Sequence, residues 1–597
     1  MKLYKNIMCA TAIGLAMTAT GCSDFLDSDN KSSVTDTDYF STESGFKSLV
    51  YDSYAQLTDI FSTGDTPEFF NAGTDLYQDS RRDIDPGLHR WQNFNPQHAT
   101  VLKFYTQCYD GIRSTLQIQH YAPSAKVSAD VKQKAIDEGR FINSMFYYLL
   151  VNNYGGVPLV TEYASTAVKG YPVSPAKDIY AHIIDQLTEV IANNKLVPSS
   201  ATQGGGEASI ESAKALLAKT YLSAAWDLNR PDYFTEAARL ADEVIAGRTL
   251  TADFADLWAA DYSGDDNAEF LFDIEYSYEA THDKSKGNAW QSYFSGYYGG
   301  QEEGMKNGSS DFTPNLHALK CFEPGDKRYS VTFLQELLVE DTWDPTDPDA
   351  EKFGVSAPKG DYFGWYKNGN KAQGKPVGVY YPAHWESSPQ QIAAWRAQDP
   401  VNRAMTFVIP MDEKTAVIEP WKIYYADMAE STTGVVAKYD FDNHDVVQSK
   451  AWAVHPCRKF DDSNTAMYKS GVSFRDVHVI TLPEVFLVAS EAYLKGGQPG
   501  KADDRLNALR RRAGLSDKSN ITIDDILKEG ACEMFGNGFR RMDLRRTQKL
   551  IEYNNLYNPH LKGSAAEVIG AKTLWPIPQA AIDANDMIDN SVNSWGY

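Results

Sequence analysis

Positive charge is in short supply: 57 Lys and Arg stand against 80 Asp and Glu, a formal net charge of −23 over 597 residues. A nucleic-acid binder presents a basic face, so this balance argues against nucleic acid and against polyanions as the main partner. Cysteine is scarce as well. Of six, Cys9 and Cys22 belong to the first residues, and Cys108, Cys321, Cys457 and Cys532 are too widely separated to read as a disulfide framework, so they read as free buried thiols. No CxxC occurs, nor any HExxH, GxSxG or P-loop, which leaves zinc hydrolases, nucleophile-elbow hydrolases and nucleotide phosphate binders without a signature. His455-Pro456-Cys457 lacks a second ligand pair. The acidic run Asp341, Asp344, Asp347, Asp349, Glu351 lacks the glycine spacing of a calcium loop and reads as solvated loop, with a structural calcium as the alternative. No metal and no cofactor is assigned. The longest leading apolar run, Ile7 to Ala19, has about 13 residues and is too short to cross a hydrocarbon layer of about 30 Å.

What is present is a large apolar and aromatic content. Hydrophobic residues make up 43% and charged residues 23%, which excludes a wholly disordered chain. Aromatics reach 12%, with 35 Tyr and 12 Trp. Their flat apolar faces and polar edges suit sugar rings or peptides, and fill large cores equally well.

Lys2 and Lys5 before the apolar run, and Thr20-Gly21-Cys22 after it, have the form of a secretory signal. The ending looks like a bacterial lipobox, relaxed because Ala19 stands where Leu is usual. On that reading residues 1–21 are the signal peptide, Cys22 is the lipidated (palmitate-bearing) N-terminus, and 22–37 form a polar tether.

Helical periodicity predicts helices at Ser44–Phe61, Thr100–His120, Ser128–Tyr154, Ser174–Ala192, Glu207–Trp226, Tyr233–Ala246, Leu482–Lys495 and Lys501–Arg512. Asn71–Pro96 reads as loop. A weak internal repeat, in which a small or apolar pair precedes a Tyr, recurs at Tyr154, Tyr221 and Tyr493. It favours antiparallel helix pairs stacked into a partial superhelix. From about 253 to 476 the helical signal fades into Gly, Pro, Tyr and Trp, a setting for binding loops. The stretch Thr522–Leu550 is the densest. Thr522 with Asp525 forms a capping-box pattern, Gly536-Asn537-Gly538 stops the helix, and Arg540, Arg541, Asp543, Arg545 and Arg546 crowd charge at the bend. Such a cluster either pairs internally or grips an anion; an ion-pair lattice joining two helices is the plainer reading.

These segments, taken in order, resemble the SusD/RagB family of outer-membrane nutrient-binding lipoproteins. The resemblance rests on CSDFLD after the leader, FINSMFYYLLVNNYGGVPLV, ESAKALLAKTYLSAAW, FEPGDKRY, LPEVFLVASEAYLKGG, LNALRRRAGL, ILKEGACEMFGNGFRRMDLRR and LWPIPQ. Two positions depart from the family's habit: Asn537 replaces an acidic residue, and Gly530 a basic one. The resemblance implies a mostly α fold, with tetratricopeptide-like helix pairs at about 38–252 and 477–597 and an irregular ligand-binding segment at about 253–476, in a single domain 38–597. It also implies a lipid-anchored cell-surface protein that captures oligosaccharides for a SusC-like TonB-dependent transporter and catalyses nothing. A peptide-binding RagB-like receptor is the first alternative. A surface glycoside hydrolase, whose carboxylate pairs the sequence does not rule out, is the second. The candidate ligand residues are Asp75, Arg81, Arg82, Trp91 and Asn93 in the N-terminal loop and Trp290, Tyr293, Tyr297 and Tyr298 in the irregular segment, with Trp343, Trp365 and Trp385 as further aromatics. For any one aromatic, core packing accounts for the residue equally well.

Overall fold

The structure is a computed structural model. It describes residues 36–61, 66–79, 85–201, 205–283, 286–294, 312–338, 377–400, 403, 407–408, 425–431, 434–439, 455, 457–462 and 472–597. The lipobox and most of the tether lie outside these residues, as do Arg81, Arg82, Tyr297, Tyr298, Trp343, Trp365 and the acidic run at 341–351.

Apolar faces at helical spacing build the framework. Helices α1 (Glu43–Phe61), α2 (Ala99–Tyr121), α3 (Ala129–Tyr154), α4 (Ala176–Asn193), α5 (Ile210–Asp227) and α6 (Pro231–Ile245) pack each on the next. The chain then leaves the stack, passes through α7 (Pro389–Gln398), and returns as α8 (Leu482–Lys495), which packs on α6, and α9 (Pro499–Arg512), which packs on α8. Four antiparallel pairs result: α1/α2, α3/α4, α5/α6 and α8/α9. The fold is therefore mostly α, with the tetratricopeptide-like stacking that the repeated Tyr positions predicted. Tyr154 and Tyr493 are buried, and Tyr221 packs on the core from its edge. Where α2 crosses α3, Gly111 lets the backbones approach: a Cβ there would lie 2.2 Å from the Phe146 ring.

The observed helices begin and end within a few residues of those predicted. The segment Asn71–Pro96 differs. Instead of loop alone it carries the strand Tyr77–Asp79 and a short helix, Pro86–Arg90. Asp85 caps that helix by accepting from the Gly87 N–H, and Pro86 occupies the first turn, where its missing N–H costs nothing.

The Thr522–Leu550 stretch folds as α10 (Ile523–Glu533), a bend, and α11 (Arg540–Arg546). The Thr522–Asp525 capping box is present in both directions. Gly536 takes φ +82°, and a Cβ there would press on the Phe460 ring at 2.4 Å. At Asn537, Lys459 Nζ donates to the side-chain Oδ1 (2.7 Å) and to the Glu533 carbonyl (2.9 Å), closing the end of α10. Burial pulls this ammonium down to about 7, against the attraction of Glu533.

The arginines pair internally. Arg540 forks onto Asp75 (2.9 and 2.6 Å), Arg546 onto Glu491 (3.1 and 2.8 Å), and Arg545 reaches Asp227 (3.0 Å). Nearby, Arg328 holds Asp326 (2.9 Å), Glu529 (2.6 Å) and Glu533 (2.9 Å), and Arg512 reaches Glu269 and Glu533. Arg541 instead bonds Asn153 Oδ1 (3.1 Å) and the Thr573 carbonyl (3.1 Å), with its guanidinium 4.9 Å from the Trp575 ring and 5.4 Å from Trp91. Segments far apart in sequence thus meet at one bend: FEPGDKRY through Asp326 and Arg328, LRRRAGL through Arg512, and LWPIPQ through Trp575. The anion-grip alternative has no vacant guanidinium to rest on in this cluster.

Candidate functional site

The two loops that carry most of the candidate ligand residues are rooted side by side. Strand Tyr77–Asp79 pairs antiparallel with Phe312–Pro314, in the register Tyr77↔Pro314, Gln78↔Thr313, Asp79↔Phe312. The described ends of the N-terminal loop and of the 295–311 segment therefore lie opposite each other at Asp79 and Phe312. Asn315 clamps the junction. Its Nδ2 donates to the Asp75 carbonyl (2.7 Å) and the Tyr557 carbonyl (3.2 Å), while its Oδ1 caps the next helix through the Ala318 N–H (3.0 Å). Beneath the strands, Tyr77 packs among Phe294, Phe312 and Phe535 with centroids 5.1–5.9 Å away, and its hydroxyl accepts from the Gly536 N–H (2.9 Å). The bend of the framework and the root of the loops are thus joined through one side chain.

Five of the nine candidate residues are described, and three of these serve the framework. Asp75 is fully buried, with its carboxylate held by Arg540 and by His317 Nε2 at 3.4 Å. Burial alone would raise this carboxylate, but the two cations hold it well below the usual range. Trp91 is buried in the left-handed conformation (φ 58°) with Nε1 donating to the Gly73 carbonyl (3.3 Å), and Arg541 lies over its ring. Trp290 is buried with Nε1 donating to the Phe61 carbonyl (2.7 Å) and its ring against Phe294 and Phe460. The polar groups of these three are spent inside the protein, as supports of the framework. Asn93 is exposed, at φ 54°. Tyr293 is half-buried, its ring 6.4 Å from Phe312. Tyr293 thus stands at the junction. Of the further aromatics, Trp385 is half-buried against Tyr329 (5.0 Å).

Sequence reasoning missed Asn315 and His317. The Asn-x-x-Ala spacing before a short apolar helix was the available signal for Asn315. His317 stacks on Tyr557 (3.6 Å, 8°) and lies 3.7 Å from Cys321 Sγ. Burial alone would lower its imidazole, yet the adjacent Cys321 sulfur and Asp75 carboxylate lift it to about 9. Cys321, His317 and Asp75 do not form a proton relay. One nitrogen, Nε2, faces both partners, and the thiol is buried. Among the described residues no group of three or more His, Cys, Asp or Glu is arranged to hold a metal, and no helix is long and apolar enough to cross a membrane.

Comparison with known proteins agrees with this architecture. Residues 268–597 match the SusD family, and residues 24–222 match a family described as starch-binding associating with outer membrane. No curated protein matches. Among solved structures, a laminarin binding SusD-like protein superposes with a TM-score of 0.59 at 19% identity, covering 93% of this chain and 100% of that one. Surface glycan-binding protein A from Bacteroides thetaiotaomicron, in complex with laminarihexaose, gives 0.60 at 17%, covering 92% and 98%. A SusD homolog from Bacteroides thetaiotaomicron VPI-5482 gives 0.65 at 18%, covering 93% and 97%. The helix-pair framework, the loops rooted at its bend and a family match over more than half of the sequence lead to one conclusion: the chain belongs to the SusD family.

Proposed function

We propose that this protein is a cell-surface glycan-binding lipoprotein, anchored to the outer membrane through Cys22, that captures oligosaccharides and delivers them to a partner TonB-dependent transporter. The single domain 38–597 follows the leader (1–21) and tether (22–37). The observation that carries the reading is the family membership, spread over both halves of the chain. Support for the ligand class comes from solved relatives named for laminarin and for a laminarihexaose complex. The proposed place of capture lies above the paired strands, with Tyr293, Arg81, Arg82, Tyr297 and Tyr298 as contact candidates and the exposed Asn93 as a further one. Aromatic planes serve the apolar faces of sugar rings, while amide and guanidinium groups serve their hydroxyls.

Two measurements test this. Calorimetry of the purified protein against separate pools of oligosaccharides and peptides should show heat with the glycans; saturable binding of peptides alone would make the protein a peptide receptor. Surface protease treatment of intact cells, with affinity purification of the tagged protein, should show exposure and a co-purifying transporter. An inaccessible protein without that partner would defeat the delivery role.

A further inference from the structure

Beyond the loop junction the chain builds a second concave surface that none of the sequence candidates line. Helix α7 starts at a reciprocal cap: Ser388 Oγ accepts from the Gln391 N–H (3.3 Å), and Gln391 Oε1 accepts from the Ser388 N–H (3.2 Å). Pro389 fills the first turn. Strand Val377–Tyr380 runs antiparallel to Glu336–Leu338, with Glu336 opposite Tyr380. Trp395 of α7 lies parallel on Tyr380 (3.8 Å, 2°), and the Arg403 guanidinium stands 4.2 Å from the indole. A ring covered at that distance on one face takes a cation only on the other, so both faces of Trp395 are occupied. Its Nε1 donates to Glu336 Oε1 (3.0 Å), which also accepts from Arg403 (3.0 Å); Arg403 donates further to the Trp395 carbonyl (2.6 Å) and Gln398 Oε1 (3.1 Å). These bonds fix a rigid wall.

In front of the wall lies a cleft of about 600 Å³, within the ~300–1,000 Å³ of small-ligand sites. The groups the wall leaves over define its chemistry. Ser330, Gln335 and Glu386 line the cleft, and among the described residues their side chains have no hydrogen-bond or ion-pair partner; Glu336 uses only Oε1. Burial first, then Glu386 and Glu336, pushes the Tyr380 phenol up, which places both carboxylates near that ring. The lining holds two carboxylates, Glu336 and Glu386, and two guanidiniums, Arg403 and Arg458, and so carries no net charge of its own. The unused atoms are mostly acceptors. Their complement is an uncharged ligand carrying many hydroxyl donors, and with both faces of Trp395 covered it must be held by hydrogen bonds to its edges rather than by stacking on that ring.

We propose that this cleft is a second carbohydrate subsite, which holds a segment of a neutral oligosaccharide through Glu386, Gln335 and Glu336 Oε2. The proposal rests on the glycan reading of the protein, and the test separates the two. The full-length protein is incubated with a library of neutral, uronate-containing and amino-sugar oligosaccharides, and bound species are identified by native mass spectrometry. The best neutral member is then titrated into wild type, Glu386→Ala, Gln335→Ala and the loop variant Asn93→Ala. Each lost hydrogen bond should weaken binding about fivefold to tenfold, with melting temperatures unchanged because neither cleft side chain holds another part of the protein. A bound neutral glycan with affinity unchanged in both cleft variants overturns the subsite and leaves the glycan reading intact. Preference for uronates or amino sugars overturns the neutral-ligand assignment, and binding of no library member overturns both readings.

Discussion

Arg540→Ala is the sharpest probe of how the bend works. In the native protein the guanidinium makes two bonds to Asp75 and one to the Leu527 carbonyl (2.7 Å), all away from water. Truncation leaves a fully buried carboxylate with His317 at 3.4 Å as its remaining cation. Removing one partner of a buried pair costs about 3–5 kcal/mol, since the other charge stays desolvated. A chain of 597 residues unfolding as one unit carries an unfolding entropy of about 1.3 kcal/mol/K. The melting temperature should therefore fall by only about 2–4 °C, and denaturant titration is the better assay. Replacing both partners with apolar residues, as in Arg540→Met with Asp75→Leu, should recover most of the loss. Ligand affinity per folded molecule should match wild type in every variant, because Asp75 and Arg540 are spent on each other. A fully stable Arg540→Ala protein that no longer binds glycan would refute this account, as would a double variant no more stable than the single one.

Other consequences follow from the same geometry. His317 has its folded value raised to about 9 from an ordinary value near 6.5; its contribution is complete below pH 6.5 and is lost as pH rises through 9. Lys459, held down to about 7, acts with the opposite sign over the same range, so the test is differential: the stability of wild type relative to His317→Phe should fall by about 3 kcal/mol between pH 6 and pH 9.5. Gly111→Ala drives a methyl into Phe146 and should cost about 1–3 kcal/mol, read as a lower denaturation midpoint. Gly530→Ala, inside α10, meets only Leu487 Cδ1 at 3.6 Å. It should stabilise by about 0.5–1 kcal/mol by restricting the unfolded chain; a destabilised variant would show that the bend cannot accept even a methyl group.

The framework was legible in the order of residues alone. Helix spacing, caps and the Tyr positions are local properties of consecutive residues, and they placed all eight paired helices and the capping box at Thr522. The charge cluster at Arg540–Arg546 also announced an ion-pair lattice. Its partners were not legible, since Asp75, Glu491 and Asp227 come from segments tens to hundreds of residues away, and a buried carboxylate looks in sequence like a surface one. That is why Asp75 and Trp91 read as ligand contacts: the residue types that grip sugars are also those that brace a polar core. Their internal partners came into view only in the folded chain, because burial and pairing are properties of packing. The helix that starts at Ser388 was not among those predicted, because the Gly, Pro, Tyr and Trp content around it masks its short capping pattern. The cleft beside that helix was not readable, because it exists only once Trp395 is held between Tyr380 and Arg403.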